Sequence, residues 1–183
     1  MNRIMLLMSL AVALAGQPAW SGEPESHPDL ASKYRLDTGD LIRIDVFGEK
    51  DLTVEAKLTD AGTISYPFLG EIIVRGMTIS DLAERITEEL KGPYLRNPQV
   101  SVNLIQYRDF FVNGEVAKPG GYAYQPGLTV QKAVTIAGGF NERASRTSIV
   151  VIRASDSKQG QTPVELNAAI GPGDVLVVEE SFF

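Results

Sequence analysis

The sequence predicts an α+β protein composed of two small modules. Both halves of the chain contain short strands with alternating apolar residues, and each half contains one amphipathic helix. The halves also share a turn, because Leu36-Asp-Thr-Gly39-Asp40-Leu-Ile is echoed by Ile170-Gly-Pro-Gly173-Asp174-Val-Leu. These three observations predict two α+β units, residues 34–107 and 108–183.

Composition and charge exclude several kinds of protein. The chain of 183 residues is long enough for one ordinary domain or two small ones, and its 44% hydrophobic and 22% charged residues are typical of a globular protein. A formal net charge of −6 and the lack of a basic stripe argue against nucleic acid as a partner. The sequence has no cysteine, which excludes disulfides, a thiol nucleophile and a cysteine metal site. We predict no cofactor.

The N-terminus has the pattern of a signal peptide. Arg3 precedes an apolar segment, Ile4 to Ala15, that is too short to span a bilayer, and small residues suitable for cleavage follow it. We therefore expect residues 1–21 to be removed on export. Residues 22–33 are polar, contain two prolines and are predicted to form a linker.

The end of the apolar segment has two interpretations. Leu14-Ala15-Gly16 precedes Gln17, which resembles the bacterial lipoprotein signal with glutamine in place of the acylated cysteine. The same tripeptide is also common at the end of any such segment. Because there is no cysteine to acylate in either case, we expect no lipid anchor.

The first module is predicted to contain five strands and one helix. Ile42, Ile44 and Val46 alternate with charged residues, which predicts a half-buried strand. The other strands are predicted at residues 53–58, 63–66, 71–74 and 100–104. Thr78 is the predicted N-cap of the helix, and Gly92-Pro93 ends it. The apolar stripe of this helix consists of Ile79, Leu82, Ala83, Ile86 and Leu90.

The second module begins with two competing reversal signals. Asn113-Gly114 is typical of a two-residue hairpin, and Pro119-Gly120 is typical of a type II turn. A turn at Asn113-Gly114 would leave only three strand residues before the proline. We therefore place the reversal at Pro119-Gly120 and predict a strand from Phe111 to Ala117. Gly114 then lies inside a strand, where glycine often marks a bulge or a close approach of two backbones.

The rest of the second module contains one helix and three predicted strands. Thr129 can cap a helix that begins at Val130, and Gly138-Gly139 can end it. The predicted buried face of this helix consists of Val130, Ala133, Val134 and Ala137. The strands are predicted at residues 148–153, 163–166 and 174–178.

These residues, in this order and spacing, resemble the outer-membrane polysaccharide export family. Residues 34–107 resemble its polysaccharide export domain, with matches at Tyr34-x-Leu36-x-x-Gly39-Asp40-x-Ile42, Asp60-x-Gly62-x-Ile64-x-x-Pro67-x-x-Gly70, Gly76-x-Thr78 and Asn97-Pro98-x-Val100-x-Val102. Residues 108–183 resemble a soluble-ligand-binding β-grasp (SLBB) domain, with matches at Val112-x-Gly114-Glu115-Val116-x-x-Pro119-Gly120-x-Tyr122, Ala137-Gly138-Gly139, Arg153 and Gly171-x-Gly173-Asp174.

The resemblance implies a periplasmic component of a capsule or exopolysaccharide export machine that forms a homo-oligomeric ring. Its implied partners are polysaccharide and an inner-membrane polysaccharide copolymerase. Longer family members have an acylated cysteine, a further β-grasp repeat and a C-terminal amphipathic helix, and this sequence shows none of these. We therefore expect a protein of the periplasm, or one peripheral at the outer membrane, below a pore supplied by a separate outer-membrane β-barrel.

An enzymatic function has little support in the sequence. The single histidine, His27, lies in the predicted linker, so Ser-His and His-metal sites lack their partners. Asp37 and Asp40 are the nearest candidates for a glycoside-hydrolysing carboxylate pair, but acidic residues at such turns are usually solvated turn formers. We predict no catalytic residue and no metal site, and a carboxylate-dependent polysaccharide hydrolase is kept as an alternative.

The residues expected to contact a partner or a saccharide lie in the second module. Loops on a rigid scaffold often carry function, which favours Lys118–Gly121 and Gly138–Arg143 for subunit or partner contacts. Tyr122 and Tyr124 could stack on sugars, but we favour core or ring-interface roles for them. The candidates are Lys118, Pro119, Gly120, Tyr122, Tyr124, Phe140, Asn141 and Arg143. A monomeric periplasmic ligand-binding β-grasp protein without a transport role is the alternative from another class.

Overall fold

The computed structural model describes residues 34–181, so the predicted signal peptide (1–21), the linker (22–33) and His27 lie outside the described residues. In chain order the elements are β1 (Leu41–Val46), a 3-10 helix (Lys50–Leu52), β2 (Val54–Lys57), β3 (Thr63–Tyr66), β4 (Gly70–Ile73), α1 (Ile79–Leu90), β5 (Val100–Gln106), β6 (Phe110–Gly114), β7 (Gly120–Tyr122), α2 (Val130–Ile136), β8 (Ala144–Ile152), β9 (Gln161–Pro163) and β10 (Val175–Glu180). The predicted α+β class is confirmed.

The first module is built on a small antiparallel sheet. Its strand order is β2-β1-β5, and β3 and β4 form a separate antiparallel hairpin. Helix α1 packs beside β5. Ile42, Ile44 and Val46 are buried in the core of this module, as their alternation predicts.

Helix α1 begins at the predicted residue. The Thr78 side chain accepts a hydrogen bond from the Asp81 amide, and the Asp81 carboxylate accepts one from the Thr78 amide, which completes a capping box. These hydrogen bonds hold the pKa of Asp81 below its usual value. The predicted stripe faces the core, with Leu82, Ile86 and Leu90 buried and with Ile79 and Ala83 packed against them.

The second module is a mixed five-stranded sheet with a helix across one face. Its strand order is β7-β6-β10-β8-β9, in which only the central β6–β10 pair is parallel. The predicted face of α2 is buried against the same side of the sheet as Phe110 and Val112. Thr129 caps this helix by accepting a hydrogen bond from the Lys132 amide.

The predicted position of the reversal in the second module was wrong. Strand β6 ends at Gly114, and its pairing with β7 ends at Val112 opposite Gly120, so the chain reverses over residues 113–119. Gly114 has φ +83°, and a Cβ there would lie 2.0 Å from the Val178 carbonyl oxygen on β10. Of the two features that this glycine predicted, a bulge or a close backbone approach, the structure shows the close approach. The backbone leaves the extended conformation at Gly114, and the strand ends there, three residues before Ala117.

Several strand bounds also differ from prediction. Strand β8 begins four residues earlier than expected because Ala144 pairs with Glu180 beyond an irregularity in β10. Strand β9 occupies Gln161–Pro163, so the strand predicted at residues 163–166 shares only Pro163 with it. The segment after Pro163 turns toward α2, because the Gln131 amide donates a hydrogen bond to the Leu166 carbonyl and the Leu166 side chain packs against the core of the second module.

Candidate functional site

The first Gly-Asp turn is closed around a buried carboxylate. Asp40 is 0% exposed, and it accepts hydrogen bonds from the Asp37 amide at 2.9 Å, the Tyr34 hydroxyl at 2.8 Å and the Arg108 amide at 2.8 Å. A buried carboxylate needs such partners, because an unpaired charge is strongly disfavoured away from water. Asp40 is thus not the solvated turn former that the sequence suggested, and its carboxylate is sealed from any substrate.

The second Gly-Asp turn repeats this arrangement. Asp174 is 4% exposed and accepts hydrogen bonds from the Gly171 amide at 2.8 Å, the Ala154 amide at 3.0 Å and the Arg153 guanidinium at 2.7 Å. In both turns the aspartate bonds the amide three residues before it and an amide that follows a neighbouring strand. The echo seen in the sequence is therefore a repeated structural unit.

Arg108 lies between the two turns. Its guanidinium donates to the Tyr34 hydroxyl at 2.7 Å and lies 3.4 Å from the Asp40 carboxylate. A Cβ at Gly39 would lie 3.3 Å from the Arg108 Cβ, and a Cβ at Gly173 would lie 2.7 Å from its Nε. The Arg108 side chain thus contacts the Gly-Asp turns of both modules. We call the region where the two modules meet around Arg108 the joint.

A row of tyrosines also joins the modules. Tyr34 and Tyr107 meet edge to face with ring centroids 4.9 Å apart, and Tyr107 meets Tyr124 in the same way at 5.3 Å. Burial, with the Asp40 carboxylate beside it, raises the pKa of Tyr34 far above its usual value, and burial also raises the pKa of Tyr124. Both shifts reinforce the protonated state that a tyrosine hydroxyl already has at neutral pH.

A cleft of about 380 Å³ opens beside this joint. Both modules contribute to its walls, since Lys57 and Gln106 come from the first sheet and Phe111 comes from the second. Tyr107, Arg108 and Asp109 line the part between them. We call this set of residues the joint cleft.

The structure brings the two predicted contact loops together. The Lys118 amide bonds the Ala137 carbonyl at 2.8 Å, and Val116 pairs with Phe140 in an isolated antiparallel bridge. The polar groups of this region are largely bonded within the module. Asn141 donates to Glu115, Arg143 pairs with Glu180, and Tyr122 donates to the Lys118 carbonyl.

The aromatic candidates have distinct positions. The Tyr122 ring packs near Phe110 with centroids 5.9 Å apart, whereas Tyr124 lies beyond the end of β7 in the tyrosine row. Phe140 packs against the second core, with the Arg146 guanidinium 5.9 Å from its ring centre. Pro119 is exposed and Gly120 begins β7. Contact of these residues with a partner or a saccharide stays a prediction.

Sequence reasoning missed the joint cleft. Its residues come from strand ends that are far apart in sequence. Lys57, Gln106, Asp109 and Phe111 belong to no recognisable motif, although Gly39 and Gly173 of the Gly-Asp turns also line the cleft. The available signal was the repeated Gly-Asp turn. Arg153, which donates to Asp174, directly follows β8, and β8 pairs with the strand that leaves the second turn. The equivalent position beside the first turn lies just after β5, where Arg108 is found.

Comparison with known proteins identifies two domains in the order that the sequence suggests. Residues 28–105 match the family model of polysaccharide biosynthesis/export proteins, and residues 110–164 match the SLBB domain. The division at residues 107 and 108 stays a prediction. Neither helix in the described part of the chain has the length and apolar character needed to span a membrane.

Curated relatives carry related names. The exopolysaccharide production protein ExoF of Rhizobium meliloti (strain 1021) is 33% identical over 165 residues, covering 82% of this chain and 36% of its own length. The EPS I polysaccharide export outer membrane protein EpsA of Ralstonia solanacearum is 26% identical, covering 80% of this chain and 46% of its own length. The polysialic acid transport protein KpsD of Escherichia coli is 28% identical, covering 79% and 28%.

The chain thus spans less than half the length of these relatives. The two domain matches together extend over most of the chain, and the relatives are named for exopolysaccharide production, polysaccharide export and polysialic acid transport. With a polysaccharide export domain followed by an SLBB domain, this chain belongs to the outer-membrane polysaccharide export family.

Proposed function

We propose that the protein is a non-enzymatic periplasmic component of a capsule or exopolysaccharide export machine. In this proposal it forms an oligomeric ring that guides polysaccharide from an inner-membrane copolymerase to an outer-membrane pore made by a separate β-barrel protein. The observation that carries the proposal is the pair of export and SLBB domains in family order, shared with relatives named for polysaccharide production, export and transport.

The geometry of the acidic turn supports a role without catalysis. A glycosidase acid or base must reach the scissile bond, but the Asp40 carboxylate is buried and its oxygens already accept three hydrogen bonds. Its neighbour Asp37 forms an ion pair with Arg75 at 3.0 Å. The contacts of Asp37 and Asp40 are thus those of residues that stabilise the turn and its neighbours.

Deletion of the gene tests the export role. We expect surface polysaccharide to fall sharply, with material retained in the periplasm, and we expect a plasmid copy to restore secretion. Secretion that is unchanged in the deletion strain would contradict the proposal.

Light scattering tests the ring. The exported form should assemble into oligomers, alone or with its copolymerase, and a monomer under both conditions would favour the ligand-binding alternative. We assign subunit contacts to the two loops around Lys118 and Arg143, which lie side by side and are exposed. Lys118→Glu should therefore weaken assembly, whereas Lys158→Glu, the same charge change on a different exposed loop, should leave it unchanged.

A further inference from the structure

We propose that the joint cleft binds one uncharged pyranose unit of the exported glycan. The inference rests on the proposed function and adds a saccharide site to it. The cleft volume of about 380 Å³ falls within the usual range of small-molecule sites, and such sites occur preferentially where domains meet. Since both modules supply its walls, the cleft exists only when they are joined as in this structure.

An exposed aromatic ring provides the stacking surface. Phe111 is 45% exposed on the side of β6 opposite the buried Phe110 and Val112. Its partner on β7 is Gly121, and a Cβ there would lie 3.0 Å from the Phe111 ring. The Phe111 ring therefore packs over a residue that has no side chain. Its exposed face is a flat apolar surface on which the C–H face of a sugar can stack.

Polar groups beside this ring are free to bond a ligand. Lys57 and Gln106 flank Leu41 on either side of β1, and Asp109 directly precedes β6. Within residues 34–181 none of these three side chains has a hydrogen-bond partner, in contrast to Asn141 and Arg143 in the predicted loops. An amine, an amide and a carboxylate together supply the donors and acceptors that sugar hydroxyls need.

Charge in the cleft selects the class of sugar. Lys57 and Asp109 contribute one charge of each sign, and the Arg108 guanidinium already lies against the Asp40 carboxylate. The lining therefore has no excess of positive charge to hold an acidic sugar. An uncharged hexopyranose, which offers hydroxyls on its edge and C–H groups on its face, matches both the ring and the polar groups.

Amide chemical shifts of the exported form can locate the site. The probe is a mixture of short oligosaccharides made by partial hydrolysis of the host's own secreted polysaccharide. We expect saturable shifts at Lys57, Gln106, Asp109 and Phe111. Saturable shifts confined to the exposed stacked pair Phe68–Tyr94, or the absence of saturable shifts anywhere, would overturn the proposal.

Matched variants test the individual contacts. Lys57→Ala and Gln106→Ala should each weaken binding by up to about tenfold, the loss expected for one hydrogen bond. Lys50→Ala and Gln131→Ala remove the same side chains from exposed positions outside the cleft and should leave binding unchanged. Equal effects of both pairs would contradict a site in the cleft.

The two proposals can fail separately. If gene deletion stops secretion but no saturable binding occurs in the cleft, the saccharide site is wrong and the export role stands. If the cleft binds oligosaccharides but deletion leaves secretion unchanged, the export role is wrong.

Discussion

The two Gly-Asp turns use the same hydrogen bonds for different purposes. In the second module, the donors to Asp174 come from Arg153 and Ala154, at the end of that module's own strand β8. In the first module, the Asp40 carboxylate accepts a hydrogen bond from the amide of Arg108 and lies beside its guanidinium. Arg108 follows β5 and lies at the joint between the modules. One turn therefore closes within its module, whereas the other depends on the segment that connects the modules.

Strand register explains how one unit serves both purposes. The strand pairs next to the turns are Leu41–Gln106 and Val175–Ile152, and the amide that bonds the aspartate lies two residues beyond each pair, at Arg108 and at Ala154. Relative to these pairs the two arginines differ by one residue, because Arg108 lies two residues beyond Gln106 and Arg153 lies one residue beyond Ile152. Arg153 also donates to the Ala169 carbonyl in its own module, whereas Arg108 donates to Tyr34 of the first module and lies against Gly173 of the second.

Removal of the first aspartate should have the largest effect. Asp40→Ala leaves the Tyr34 hydroxyl and two backbone amides without a buried acceptor, so we expect a loss of about 3–5 kcal/mol in the free energy of unfolding. Urea denaturation followed by circular dichroism measures it. Asp40→Asn, which keeps one acceptor oxygen, should lose less.

Asp174→Ala provides the comparison between modules. It should destabilise the second module by a similar amount, while hydrogen exchange in α1 and β1 of the first module stays slow. Asp40→Ala should instead speed exchange in β1 and at the joint. The same exchange pattern in both variants would contradict the assignment of different purposes to the two turns.

Glycine substitutions separate backbone strain from packing at the joint. Gly39 and Gly173 both have positive φ, +90° and +81°, so replacement by alanine imposes a similar backbone cost of about 1–2 kcal/mol at each. At Gly173 the new Cβ also meets Arg108 Nε at 2.7 Å and Ala154 Cβ at 2.9 Å. We expect Gly173→Ala to lose about 1–3 kcal/mol more than Gly39→Ala, the usual range for overpacking.

A double variant isolates the contact with the arginine. In the Arg108→Ala background the joint has room for the new Cβ on one side, so part of the additional loss from Gly173→Ala should disappear. Thermal unfolding of the four proteins measures this coupling. Strict additivity would show that Arg108 and Gly173 do not pack together in solution.

Arg108 and Arg153 should differ in whether they fix the two modules relative to each other. Arg108→Ala and Arg153→Ala each remove hydrogen bonds to charged or buried groups and should each lose about 1–3 kcal/mol. Only Arg108→Ala should loosen the modules relative to each other. In ¹⁵N relaxation we expect one rotational correlation time for the parent protein and for Arg153→Ala, and two for Arg108→Ala.

The features that the sequence predicted correctly are local in the chain. The Thr78 cap lies next to the helix that it caps, and the buried faces of both helices follow from spacings of three and four residues. The strand containing Ile42, Ile44 and Val46 follows from strict alternation. These signals act over one or two turns of chain, so they can be read without knowledge of the fold.

The features that the sequence did not reveal depend on distant partners. The burial of Asp40 is completed by Arg108, 68 residues away, and Gly114 at the end of β6 lies against Val178 of β10. The loop residue Asn141 finds Glu115 26 residues earlier in the chain. Composition at the turn therefore suggested a solvated aspartate, because the Arg108 amide that completes its set of donors is distant in the chain.

The helix caps offer the smallest and most local comparison of the two modules. Helix α1 has a reciprocal capping box, with bonds of 3.0 and 3.1 Å, whereas α2 has a single longer bond of 3.4 Å from the Lys132 amide to Thr129. Thr78→Ala should therefore lose about 1 kcal/mol at neutral pH, and Thr129→Ala should lose less. Denaturant unfolding at pH 7 measures both.

Acid should remove this difference between the caps. The pKa of Asp81 is lowered in the folded protein, so the stability it contributes is present above the ordinary aspartate pKa and is lost as pH falls through the lowered value. The Thr78 side chain helps to lower the pKa of Asp81, so the part of its stabilising effect that depends on the charged carboxylate is lost on protonation, and the effect of Thr78→Ala should shrink in strong acid. No carboxylate takes part in the cap of α2, so the effect of Thr129→Ala should change little over the same range. An effect of Thr78→Ala that is independent of pH would mean that the Thr78 side chain does not interact with the Asp81 carboxylate in solution.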